Sequence, residues 1–325
     1  MKNNDTPKGI EKISYPENFK KAFESINQGE FIAQSTEIKA SSGPEPDLQS
    51  AIDELDNLVG LETVKETIKE LIIFLERRGK EALPCLHMVF TGSPGTAKTT
   101  VARIITKILA QSGIIEKNLL VETERCGLIG GYMGQTALKT EKMINKSLGG
   151  VLFIDEAYSL YTGRGGGDYG DEAVATLVKA MEDKRDKFVC IMAGYTKEME
   201  AMIDMNPGLR GRIQFFIDFP DYAVTELMQI FDVFCNKRNY ELSNSARQML
   251  HDEFKLLSGT KNKNFANGRL VRKFFERICI KQALRTCDYM ITEKDITAAL
   301  KSPDIAAIRN NKGKIGFALA KPLAQ

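Results

Sequence analysis

Gly92-Ser93-Pro94-Gly95-Thr96-Ala97-Lys98-Thr99-Thr100 combines two glycines, a lysine and hydroxyls at a spacing suited to phosphate chemistry. Phosphate oxygens need donors that come close without side-chain bulk. Gly92 and Gly95 let backbone N–H groups face inward, and the start of a following helix adds partial positive charge. Lys98 is placed to reach the outer phosphates, and Thr99 to hold Mg2+ through its hydroxyl. The last glycine of the usual G-x-x-x-x-G-K-[ST] pattern is replaced by Ala97. That position opens the helix, so a negative φ is expected there. Alanine tolerates that, and nucleotide binding is expected to survive.

A second chemical constellation is Val151-Leu152-Phe153-Ile154 followed by Asp155-Glu156. A continuous apolar run reads as a strand buried on both faces of a parallel sheet. In a phosphate-loop protein the first acid supports Mg2+ and the second polarises the water that attacks the γ-phosphate. The plainer reading, a strand that merely ends in polar residues, is disfavoured by the presence of Gly92–Thr99 in the same chain.

These residues need a scaffold. His87–Phe90 is an apolar strand leading into the loop, and Val101, Ile104, Ile105, Ile108 and Leu109 recur at helical spacing after it. Before it, Glu62–Arg78 is strongly helical and Gly79 is a stop. Strands are expected at Leu119–Glu122, Phe188–Ala193 and Gln214–Phe219, with helices at Ala137–Leu148, Glu172–Met181 and Lys197–Ile203. This alternation is an α/β pattern with a mainly parallel sheet. From Val224 the strands are expected to stop. Helices follow at Val224–Lys237, Ser245–Leu256, Gly268–Arg285 and Thr292–Leu300. The chain therefore divides into residues 1–50, a partly flexible segment and linker; 51–221, the nucleotide-binding domain; 222–300, a helical domain; and 301–325, a basic, loosely held tail. A short helix is expected at Phe19–Ile26, a linker at Ser41–Pro46 and a flexible glycine-rich loop at Tyr161–Gly170.

The chain has 325 residues, 43% hydrophobic and 27% charged, with a net charge of +2. That balance argues against nucleic acid as a partner. No apolar run is long enough to cross a bilayer, and the N-terminus has no signal-peptide core. The six cysteines are widely spaced, several within apolar runs, so reduced thiols in a cytoplasmic setting are expected. With only His87 and His251, a histidine-based metal or triad site is unsupported, and both are read as structural. Leu128–Gln135 breaks the pattern differently. Glycines flank Tyr132 and Met133, which marks a mobile loop presenting an aromatic.

In order, the chain carries the phosphate loop, GYMG, VLFIDEAYSLY, IMAGY, NPGLRGRI, FPDY and NGRLVR. This series resembles the AAA+ ATPases, a P-loop NTPase fold with a parallel central sheet and a small helical lid. The resemblance is to the branch that holds CbbX-type red Rubisco activases and stage V sporulation protein K, over about Ala51–Leu300. It implies ATP and Mg2+ as cofactors, with ATP bound between protomers of a ring, usually a homo-hexamer. It also implies an unidentified protein substrate. Asp155 and Glu156 carry over as the Walker B pair. Arg212, with Arg210 second, matches the arginine finger given to the neighbour's γ-phosphate, against a plain reading as ordinary surface ion pairs. Arg269 matches the lid's sensor arginine, with Arg272 one turn on as its alternative. Tyr132 and Met133 match the pore loop that grips polypeptide, against a plain reading of Tyr132 as a ring capping the next helix. Gly194-Tyr195-Thr196 departs from the Asn or Thr common at the fourth strand's sensor position. The implied function is an ATP-driven remodeller of a protein partner, sporulation-related. An enzyme-activating remodeller, a nucleic-acid-directed ATPase and a non-hydrolysing nucleotide-gated scaffold are its rivals.

Overall fold

Met88–Gly92 (β1) runs through the middle of a five-stranded sheet in the order β2-β3-β4-β1-β5, with β2 Leu120–Thr123, β3 Val151–Ile154, β4 Val189–Gly194 and β5 Phe215–Phe219. Every pairing in it is parallel. The computed structural model describes residues 47–79, 85–132, 134–161, 169–259 and 265–309. The expected helix at Phe19–Ile26, the linker at Ser41–Pro46, most of the Tyr161–Gly170 loop, Met133 and the chain beyond Arg309 lie outside the described residues.

Side chains alternate across the strands, and both faces are covered. Met88, Phe90, Phe153 and Ile191 face one core, with helices Leu48–Asp56 (α1), Glu62–Arg78 (α2) and Lys98–Gln111 (α3). Val89, Leu152, Ile154, Cys190 and Met192 face the other. That side carries Arg125–Leu128 (α4), Gln135–Lys146 (α5), Gly170–Asp183 (α6), Thr196–Asp204 (α7) and Pro207–Arg210 (α8). All of β3 and β4 is buried, which is why they read as unbroken apolar runs. His87 is structural, as expected. It is fully buried, with Nε2 3.1 Å from the Met181 carbonyl and Nδ1 accepting the Cys190 N–H at 3.0 Å.

The second domain holds Val224–Lys237 (α9), Asn244–Gly259 (α10), Asn267–Arg285 (α11) and Glu293–Leu300 (α12). Phe231, Phe254, Phe274 and Phe275 meet edge to face at its centre, with centroids 5.5–6.5 Å apart. Two expectations fail here. Strands do not stop at Val224: Glu241–Leu242 (β6) pairs in parallel with Met290–Ile291 (β7), because two interhelical connections run side by side and satisfy each other's backbone. Nor is the start of the 301–325 segment loose. Pro303–Arg309 (α13) buries Ile305 and is tied down by Arg277–Asp304 at 2.8 Å and Arg309–Glu253 at 2.7 Å. Among the described residues no helix is long and apolar enough to cross a membrane.

Candidate nucleotide site

The loop from Gly92 to Thr99 leaves the C-terminal edge of β1 and enters α3. Gly95 has φ +76, and a Cβ there would collide with the carbonyl of Ala266. Ala97 has φ +70, which overturns the expected negative value. The loop closes onto α3 through this left-handed residue, the conformation a glycine adopts freely and an alanine at a cost of about 1–2 kcal/mol. Its methyl packs on the core beside α3. Among the described residues no protein acceptor takes the N–H groups of Gly95, Thr96, Ala97, Lys98 or Thr99. A ring of unmatched donors at a helix N-terminus fits a polyphosphate.

Lys98 Nζ donates to the carbonyls of Gly92 at 2.7 Å and Ser93 at 2.8 Å. Burial pushes its pKa below the usual lysine value; Arg269 acts the same way, while Asp155, Asp218 and Asp221 oppose it. Those acids come from the end of β3, from β5 and from the link into α9. Asp218 also accepts from Thr91 Oγ1 at 2.7 Å, across the β1–β5 pairing. Asp155 sits two strands from β1, its N–H bonded to the Thr123 carbonyl at 2.9 Å. Glu156 follows with φ +47, an exposed carboxylate on a strained residue, the kind of backbone that collects at reactive sites. No group of three or more His, Cys, Asp or Glu suited to a metal occurs among the described residues. Mg2+ does not need one, since phosphate and water supply most of its ligands.

The other expected residues fall at some distance along the chain. Asn206 caps α8 through Leu209 N–H at 3.1 Å, and Leu209 is buried beneath the turn. Arg210 pairs with Asp204 at 2.7 Å on the surface. Arg212 donates to the Gly208 carbonyl at 2.7 Å, while its Nε lies 3.2 Å from Glu182 without an aligned hydrogen bond. Neither arginine bonds to the phosphate loop or to Asp155–Glu156 among the described residues. The Tyr132 loop is pinned at its base: Thr136 Oγ1 accepts the Gly130 N–H, Thr140 donates to Leu128, and Lys139 bonds the carbonyls of Cys126 and Ile129. Tyr132 itself is 74% exposed, so it does not cap α5. Arg269 is exposed at the start of α11, and Arg272 pairs with Glu276 at 2.8 Å.

The reading of the sequence assigned no role to Asn267, which is fully buried in the first turn of α11 against the phosphate loop, or to Tyr158, whose ring lies 5.5 Å from that of Tyr195 near Glu156. Burial first, then the charge of Glu156, push the Tyr158 phenol up to about 12. The signal for Asn267 was its place before a glycine at a helix start, where a left-handed residue is often Asn.

Residues 88–221 match the family described as ATPase family associated with various cellular activities (AAA), and residues 223–314 match the AAA lid domain. The chain is 46% identical over 240 residues to stage V sporulation protein K of Bacillus subtilis (strain 168), spanning 71% of this chain and 74% of that protein. It is 38% identical over 299 residues to the plasmid-borne protein CbxX of Cupriavidus necator, spanning 89% and 90%. To the chloroplastic ribulose bisphosphate carboxylase/oxygenase activase of Cyanidioschyzon merolae it is 41% identical over 246 residues, spanning 73% and 83%. Among solved structures, the RuvB Holliday junction branch migration motor of Thermotoga maritima matches with a TM-score of 0.55 at 18% identity. That match covers 76% of this chain and 70% of the motor, and shows a shared fold.

Proposed function

The chain belongs to the AAA+ ATPases, which bind and hydrolyse ATP, and from that premise we propose that it is a ring-forming motor that remodels or threads a protein partner. The N–H groups of Gly95–Thr99 and the Lys98 ammonium hold the phosphates. Thr99 and Asp155 hold Mg2+, which when bound neutralises charge on the phosphate oxygens. Glu156 orients the attacking water and takes its proton. Arg212, with Arg210 second, enters the neighbouring protomer's site, and Arg269 links nucleotide state to the lid. In a homo-hexamer six Tyr132 rings face one channel.

The observation that carries this reading is the Tyr132 loop, with its base held by three side chains of α5 and its ring left in solvent. An aromatic kept exposed on an anchored loop grips extended polypeptide by stacking and steric contact, with little sequence preference. The higher identity to stage V sporulation protein K favours a sporulation role over enzyme activation.

The test is Glu156→Gln. It is expected to bind ATP and assemble but to hydrolyse at least about 100-fold more slowly. With ATP it is expected to retain a permanently unfolded reporter polypeptide that the Glu156→Gln, Tyr132→Ala double variant releases. Near-normal hydrolysis by the single variant, or equal retention by the double, overturns the proposal.

A further inference from the structure

The lid helix α11 rests its N-terminus on the back of the phosphate loop. Gly268 N–H donates to the Gly95 carbonyl at 3.0 Å, and Asn267 Nδ2 reaches the Pro94 carbonyl at 3.4 Å. The same amide binds the interdomain link. Nδ2 donates to Asp221 at 2.8 Å, and Oδ1 accepts the Tyr222 N–H at 2.9 Å. Asn267 is fully buried and holds φ +45, a conformation Asn tolerates better than most residues.

A trans peptide is planar, so its C=O and N–H point in opposite directions. The Pro94 carbonyl belongs to the peptide whose N–H is that of Gly95. The Gly95 carbonyl belongs to the peptide whose N–H is that of Thr96. Two lid donors therefore hold the back of two peptide planes whose front donors face the cradle. We propose that Asn267, together with the Gly268 N–H, is a positioning element for nucleotide binding: it sets the tilt of those two peptides, so that lid seating and cradle shape form a single equilibrium. By reciprocity, phosphate held at the front favours a seated lid, and a seated lid favours phosphate. The inference rests on the reading of Gly92–Thr99 as the phosphate cradle.

Asn267→Gly removes the amide and keeps the left-handed backbone without strain. ADP affinity by calorimetry is expected to weaken about tenfold, with KM for ATP raised more than kcat is lowered. In the wild type, ADP is expected to slow hydrogen exchange at Gly268, and in the variant to do so much less. An amide that only braces the link would lower the unfolding temperature and leave ADP affinity alone. Gly268→Ala keeps Asn267 but sets a methyl 3.1 Å from the Gly95 carbonyl oxygen. It is expected to weaken ADP about two- to fivefold, and it decides the matter if Asn267→Gly does not fold. Affinities within about twofold of wild type in the folded variants overturn the inference. Wild-type protein that fails to bind ADP would instead sink the cradle reading.

Discussion

The ring of Tyr158 lies 5.5 Å from that of Tyr195, tilted by 41°, across the end of β4. Gly194 makes room for it: a Cβ there would come within 2.6 Å of Tyr158 Cδ1 and 2.8 Å of Met199 Sδ. Tyr158 stands two residues after Glu156 in the turn that follows β3, so the aromatic pair braces the segment that carries the carboxylate. Gly194→Ala is expected to destabilise the protein by about 1–3 kcal/mol through overpacking, and to lower kcat more than it raises KM. Urea unfolding and steady-state ATPase kinetics check both. Wild-type kcat in a folded variant would show that the pair does not brace Glu156.

If Arg212 serves the adjoining protomer's site, defects in it and in Glu156 complement each other. Arg212→Ala alone is expected to lose about 10³-fold in turnover. Mixed with Glu156→Gln protomers, some interfaces regain an intact carboxylate on one side and an intact arginine on the other. Phosphate release from the mixture is then expected to exceed that of either variant. A mixture no better than its components points to Arg210 or to a role in cis.

His87 accepts at Nδ1 and contacts a carbonyl at Nε2, so it folds as neutral imidazole, and burial lowers its pKa from the ordinary 6.5. The unfolded chain takes up a proton near 6.5, and the folded chain does so only at lower pH. Stability is therefore complete above 6.5 and falls as pH drops from there toward the depressed native value, by at most about 1.4 kcal/mol per unit. Urea midpoints at about pH 7.5 and about pH 5.5 are expected to differ less in His87→Asn than in wild type. Equal differences would assign the acid sensitivity to other groups.

Ala97 carries strain that glycine would relieve, but its methyl also packs on the core. The two effects oppose each other, so Ala97→Gly is expected to change stability by less than about 1 kcal/mol and to preserve ADP affinity. Calorimetry and thermal melting measure this. A large gain in affinity would mean that the methyl crowds the phosphates.

The placement of the candidate site was legible in sequence because it rests on consecutive residues. Gly92–Thr99 and Asp155–Glu156 each announce a strand end and the turn that follows it, and β3 and β4 announce their burial by unbroken apolar runs. What escaped depends on contacts between distant segments. The β6–β7 pair joins two-residue strands too short to show a period. The docking of α13 depends on Arg277 and Glu253, far back in the chain. The φ of Ala97 is set by how the loop meets α3, which residue type alone does not reveal. Asn267 reads as a helix-start residue until Pro94, Asp221 and Tyr222 surround it.

The β6–β7 clasp ties the α9–α10 connection to the α11–α12 connection around a shared aromatic centre. A body tied in this way is expected to move as one arm instead of flexing. The 19 residues of α11 span about 28 Å, so a tilt of about 10° at the Gly268 end would sweep the far tip through about 5 Å. Displacements too small to see at the phosphates would thus grow to several ångströms at the far end of the helical domain.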